Sequence, residues 1–302
     1  MYNVFLWSFR RPTLTKKALT DLITWNKLKK IYIVIDGLKD SSSENDKFRR
    51  LETIKTINNF PNSEKIELWL YETHLDYTEH FFRTFSRALE IDPNPLWIEE
   101  DMKIDFENLN KIDLSMAPLR EPFLLTGFSP FNHNQIGIRS TLFLPLYGVI
   151  FNELLFNNIC NVWNKKKFDD KIVEAKINEI FRGKSINSRL HRYSTINYWK
   201  NYLSWGLKNS NRWDALAIYT LWLNKSSVYA PNQGFVTDIS YLDSTNAMNP
   251  RVKPRDPISH EFKQVTSGNQ IFCLSCEIEN SRIVKNPLKR VVNSLTYRIN
   301  HY

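Results

Sequence analysis

The chain has 302 residues, 42% of them hydrophobic and 14% aromatic, which is enough to bury one large core or a core domain with an elaborated second half. Its formal charge of +9 suits an anionic partner: a phosphorylated small molecule, a nucleic acid or an anionic membrane surface. No stretch approaches the 18 apolar residues of a membrane span, and three cysteines do not make a disulfide framework. The apolar start Met1–Trp7 breaks at Arg10-Arg11-Pro12, so no leader peptide is expected and a reducing cytoplasm is the expected setting.

In chain order, Val4–Phe9 predicts a strand, and Pro12 opens a helical pattern through Leu14, Ala18, Leu19, Leu22 and Ile23. Ile31–Ile35 is a β-branched run of the kind buried on both faces of a sheet, and it ends at the turn signal Asp36-Gly37. Ser41-Ser42-Ser43-Glu44 supplies a cap for a helix with Phe48, Leu51, Thr53, Ile54 and Ile57 at helical spacing, broken at Asn59–Asn62. Ile66–Tyr71 predicts a third strand, Thr78–Leu89 a helix, Leu96–Ile98 a fourth strand and Phe123–Thr126 a fifth. Strand and helix alternating in this way predict an α/β fold with a mainly parallel, doubly wound sheet.

The second half is less regular. Phe151–Trp163 and Trp213–Leu223 predict helices, Ser227–Ala230 a short strand, and Lys165–Arg192 a charged surface helix and loop. Residues 240–270 predict loops, and the lone Cys273-x-x-Cys276 reads as structural. The tail Ser281–Tyr302 has no acid and predicts a basic amphipathic helix; it either packs on its own domain or lies on anionic lipid.

The chemistry concentrates in three places on one predicted sheet edge, where ligands bind in open α/β sheets. Arg10-Arg11 follows strand one and offers planar donors to phosphate or base. Asp36 follows strand two and can accept hydrogen bonds from a ribose or base, or simply cap its turn. Glu99-Glu100-Asp101 follows strand four, and three carboxylates there are costly unless a cation sits among them; the bland reading is a solvated acidic turn. Mg²⁺ or Mn²⁺ bridging a diphosphate would resolve the repulsion. Arg189 and His191, in the basic stretch, either clamp a departing diphosphate or face water. His74 and His80 flank the start of the third helix and read as structural. No Gly-x-Gly-x-x-Gly turn is present, which counts against a nicotinamide or flavin enzyme.

These segments resemble the GT-A glycosyltransferases, the bacterial family-2-like enzymes and the N-acetylglucosaminyltransferase-like group above all. Val4-Phe5-Leu6-Trp7-Ser8-Phe9-Arg10-Arg11-Pro12 is similar to their opening strand, Ile33-Val34-Ile35-Asp36-Gly37 to their second strand with its nucleotide-binding Asp, and Trp97-Ile98-Glu99-Glu100-Asp101-Met102 to their Asp-x-Asp motif. Arg212–Tyr219 resembles their Trp-Asp helix, and Tyr229–Ile239 the strand and loop that follow it. The resemblance implies Phe9, Arg10, Arg11, Asp36, Glu99 and Glu100 at a nucleotide sugar, Asp101 as direct ligand of Mn²⁺ or Mg²⁺, and Asp214 as catalytic base.

It further implies an inverting, GT-A-like enzyme with a nucleotide-diphosphate sugar donor and a glycan or lipid-linked acceptor, cytoplasmic or peripheral at the inner membrane face. No nucleic-acid partner is expected. The implied organisation is a nucleotide-sugar-binding half over 1–130, an acceptor-side half of the same domain over 131–245, and a loop-rich region ending in the basic helix over 246–302. Two rivals stand beside it: a nucleotidyltransferase acting on sugar phosphates, and a basic non-enzymatic nucleic-acid-binding protein.

Overall fold

A computed structural model describes residues 1–114, 120–129, 137–141, 146–165, 168–180, 196–197, 200–201, 203–204, 213–239, 264–267 and 270–273. The first half alternates as expected: β1 (Tyr2–Ser8), α1 (Pro12–Ile23), β2 (Leu28–Ile35), α2 (Glu44–Asn58), β3 (Ile66–Leu70), α3 (Tyr77–Leu89) and β4 (Leu96–Glu99). Then come β5 (Met102–Ile104), α4 (Phe106–Asn110), β6 (Leu124–Thr126), β7 (Ile138–Thr141), β8 (Val149–Phe151), α5 (Glu153–Lys165), α6 (Asp170–Ile180), α7 (Trp213–Leu223), β9 (Val228–Pro231), β10 (Val236–Asp238), β11 (Gln264–Ser267) and β12 (Gln270–Cys273).

The main sheet runs β11-β12-β7-β9-β6-β8-β4-β1-β2-β3 among the described residues. Its first-half strands are mutually parallel, with β1 pairing β2 on one side and β4 on the other, and β2 pairing β3. Past β4 the sheet is mixed. Strand β8 runs antiparallel to β4 and β6, β6 is parallel to β9, and β7 is antiparallel to β9. A separate antiparallel pair joins β10 to β5.

Side-chain alternation splits the sheet into two unlike faces. Val4, Leu6, Ile31, Ile33, Ile35, Leu96 and Ile98 pack under α1 and α2 with Leu19, Leu22 and Ile57 in a mainly aliphatic core. Phe5, Trp7, Tyr32, Val34 and Trp97 face α3, α5 and α7 in an aromatic one. There Phe85 stacks on Trp97 at 4.0 Å and on Phe151 at 4.2 Å, while Phe81 stacks on Trp213 at 4.5 Å. Each such buried side chain contributes about 1.5–3 kcal/mol relative to exposure.

Several expectations are corrected. On α2, Phe48 and Leu51 are exposed at 60% and 49%, and the inward positions are Thr53 and Ile57. The helix is set by its polar start instead: Ser43 caps it in a capping box with Asp46. Phe151 closes β8 rather than opening a helix, because α5 begins at Glu153. Gln264–Ser267, expected as loop, forms β11 and pairs antiparallel with β12. Strands β5, β7 and β8 are too short to show an alternating pattern in the sequence. The tail 281–302 and Cys276 lie outside the described residues.

Candidate functional site

Because β2, β1 and β4 are adjacent and parallel, their carboxyl ends form one continuous rim. Asp36 stands after β2, Phe9-Arg10-Arg11 after β1, and Glu99-Glu100-Asp101 at and after β4. Two strand spacings separate the outer members, about 10 Å across. That span suits a nucleotide lying across β1.

Strand β1 ends at Ser8, whose hydroxyl meets that of Thr15 at 2.6 Å, and Thr15 in turn donates from its backbone and hydroxyl to the Arg11 carbonyl, each at 2.9 Å. Arg11 is the N-cap of α1, and Pro12 occupies the first turn, where its missing N–H costs nothing. The Arg11 guanidinium ion-pairs with Asp101 through Nη1, and its Nε lies 3.7 Å from Glu100 Oε1; all three side chains are at most 14% exposed. Arg10 turns the other way, pairing with Asp46 of α2 while its guanidinium covers the Phe9 ring at 4.7 Å. Arg49 anchors the Arg10 carbonyl at 2.9 Å.

The acidic segment is held by its backbone on both sides. Glu100 N–H donates to the Trp7 carbonyl at 2.9 Å, and Ile239 N–H donates to the Asp101 carbonyl at 2.7 Å. The segment Tyr229–Ile239 thus meets the acidic cluster through β10. Burial, and then the charge of Asp101, push the Glu100 carboxyl up to about 8, although Arg11 pulls it down. Glu100 therefore holds its proton at neutral pH, leaving Asp101 and Arg11 as the charged pair. Glu99 instead lines a cavity of about 20 Å³ with Trp7, Trp97, Met102 and Trp213.

Asp36 is built in differently. Its Oδ1 accepts from the backbone N–H of Gly37 at 2.8 Å and of Leu75 at 3.1 Å, and its Oδ2 lies 2.7 Å from His74 Nδ1. Gly37 permits this clamp, since a Cβ there would sit 2.1 Å from the Thr73 carbonyl carbon. Arg50 donates to the Asp36 and Tyr71 carbonyls at 2.9 and 3.0 Å, tying α2 to the same corner.

Asp214, half-buried in the first turn of α7, follows Trp213, whose ring meets Trp7 edge-on and whose Nε1 donates to the Tyr77 hydroxyl at 3.0 Å. That contact seats the start of α7 over the end of β1. His80 stacks on Trp7 at 5.4 Å, and burial lowers its pKa to about 4, so it is neutral. The buried ring nitrogens Trp7 Nε1, Trp97 Nε1 and His80 Nε2 have no hydrogen-bond partner among the described residues. Arg189 and His191 lie outside the described residues.

Of the expected site residues, the fold brings Arg11, Glu100 and Asp101 into contact and lines Asp36 and Arg10 along the same rim. Asp46, Arg49 and Arg50 were missed, and His74, read as structural, proves to be the partner of Asp36. The available signal was polar side chains at helical spacing (46, 49, 50, 53) on what proves to be the inner face of α2. Among the described residues no group of three or more His, Cys, Asp or Glu side chains gathers to hold a metal ion. What Asp101 holds is a guanidinium, and these residues do not fit a divalent ion bound by the protein alone.

No family model matches the chain, and no curated protein matches it. Among solved structures it is similar to an active-site mutant of LgtC, with TM-score 0.32 and 9% identity over 54% of this chain and 64% of that one. It is also similar to the galactosyltransferase LgtC in complex with donor and acceptor sugar analogs, with TM-score 0.29 and 9% identity over 50% and 58% of the two chains. The match thus spans less than two thirds of either neighbour. Among the described residues no helix is long and apolar enough to cross a membrane.

Proposed function

We propose that the protein is a glycosyltransferase that binds a nucleotide-diphosphate sugar along the β2–β1–β4 rim and passes the sugar to an acceptor hydroxyl. One observation carries this reading: Asp36, Arg11 and Asp101 stand in that order on the carboxyl edge of three adjacent parallel strands. Asp36, oriented by two backbone N–H groups and His74, takes the ribose or base end. Arg11 meets the diphosphate, where negative charge grows as the sugar departs. Asp214, at the start of α7 over the aromatic face, is the assigned base for the acceptor hydroxyl. Inversion at the anomeric carbon and a surface-glycan acceptor follow from the resemblance to family-2-like enzymes.

Incubation with a panel of nucleotide-diphosphate sugars, read by mass spectrometry, tests this. The expected products are a nucleoside diphosphate and a transferred or hydrolysed sugar, with kcat/KM down about 100-fold in Arg11→Gln, the scale of losing one charge-stabilising donor. Release of pyrophosphate would instead make it a nucleotidyltransferase. Consumption of no donor would remove the enzyme assignment.

A further inference from the structure

We propose that Arg11 is the resident cation of this rim: its guanidinium, steadied by Asp101, takes the donor diphosphate directly, so nucleotide binding needs no divalent ion. This rests on the donor reading above and adds what neutralises the diphosphate.

Three features of the fold converge on it. The Arg11 backbone is fixed, because its carbonyl accepts two bonds from Thr15 and its residue caps α1, so the side chain's reach is set before any ligand arrives. The backbone of the two acidic residues that bracket it, Glu100 and Asp101, is equally fixed, by the Trp7 carbonyl on one side and the Ile239 N–H on the other. A divalent ion entering here would have to displace a largely buried ion pair, at the cost of leaving a guanidinium uncompensated. A diphosphate would instead meet a planar fork of donors already aimed and partly desolvated.

The twelve-residue helix α1 supports the same assignment. It has no acidic residue in its first turn and no side-chain cap, and it starts at this rim directly after Arg11. Its first N–H groups and the positive end of its dipole add to the guanidinium's charge. Arginine and helix end together supply what a single metal ion supplies elsewhere.

The test is titration calorimetry with UDP, GDP, TDP and ADP, each in EDTA and in Mn²⁺. For whichever nucleotide binds, the wild-type affinity is expected to agree within about threefold between the two conditions. Arg11→Gln is expected to lose about 10- to 100-fold in EDTA, the range of a charge-assisted hydrogen bond. Arg11→Lys, which keeps the charge but not the fork, is expected between them and covers the case in which Arg11→Gln does not fold. Wild-type binding that appears only with Mn²⁺ overturns the inference and leaves the donor reading standing; no binding in either condition overturns both.

A second readout needs no nucleotide: free Mn²⁺ measured by electron paramagnetic resonance. Wild type and Asp101→Asn are expected to hold Mn²⁺ equally weakly, while Arg11→Gln, with Asp101 released, binds about tenfold or more tightly. Equal, tight Mn²⁺ binding by wild type and Arg11→Gln would overturn the proposal.

Discussion

The two ends of the rim hold their aspartates on opposite plans. At the β2 end Asp36 is locked by backbone N–H groups and His74, in a corner that only glycine at position 37 allows. At the β4 end Asp101 is held by a side chain, Arg11, which can exchange partners. On the proposed reading, the first plan makes the nucleotide contact part of the fold. The second leaves a charge poised for exchange, with Glu100 behind it as a reserve carboxyl kept neutral by burial. A site that must grip one part of its substrate constantly and stabilise another only during reaction has use for both.

The largest expected effect sharpens the β4 end. Glu100 keeps its proton up to about pH 8 when folded, against an ordinary 4.5. Between those values the native state holds more protons than the unfolded one, so stability falls as pH rises through that window. The loss is on the order of 4 kcal/mol. Because His80 titrates with the opposite sign between about pH 4 and 6.5, urea unfolding at several pH values should show this slope in the difference between wild type and Glu100→Gln. A difference flat from pH 4.5 to 8 would mean that Glu100 is ionised beside Arg11.

Next comes the contrast itself. Asp36→Ala strands two N–H groups and His74, and should cost about 3 kcal/mol in chemical denaturation. Asp101→Ala should cost about 1 kcal/mol, because Glu100, with Nε of Arg11 3.7 Å away, can ionise and take the pair over. Equal costs would erase the distinction between the two ends.

His80 provides a comparable effect of opposite sign behind the β2 end. Burial lowers its pKa to about 4, opposed by the charge of Asp36 and reinforced by that of His74. The unfolded chain takes up this proton first, so stability is lost as pH falls from about 6.5 to 4, by about 3 kcal/mol. The difference between the wild-type and His80→Phe melting profiles should carry that acid limb; a difference flat below pH 6.5 would place its origin elsewhere. The smallest effect belongs to the Arg10–Asp46 pair, whose side chains are 25% and 27% exposed. Asp46→Asn should shift the melting temperature by no more than about 2 °C.

The parallel half of the fold is legible in the sequence because its strands are apolar runs buried on both faces and its helices carry caps and periodicity. Pro12, Ser43 and the Trp213–Leu223 run mark real helix positions to within a residue or two. The mixed half is legible only in part: Phe123–Thr126, Trp213–Leu223 and Ser227–Ala230 mark β6, α7 and β9, whereas β5, β7 and β8 are three or four residues long, and their pairing is decided by neighbours far along the chain. At the site, the residue types and their shared edge could be read from the order of elements. Their partners could not. Nothing local says that Arg11 would meet Asp101 ninety residues on, or that α2 would turn Asp46, Arg49 and Arg50 toward the rim and leave Phe48 and Leu51 in water.

The most direct measurement is a thermal-shift comparison of wild type, Asp36→Asn and Arg11→Gln across nucleoside diphosphates and the matching nucleosides. A ligand that binds only the native state raises the melting temperature. One diphosphate is expected to stabilise the wild type, with Asp36→Asn weakening its effect and that of the nucleoside alike, and Arg11→Gln abolishing only the advantage of the diphosphate over the nucleoside. A wild type that melts at the same temperature with every nucleotide would contradict this expectation.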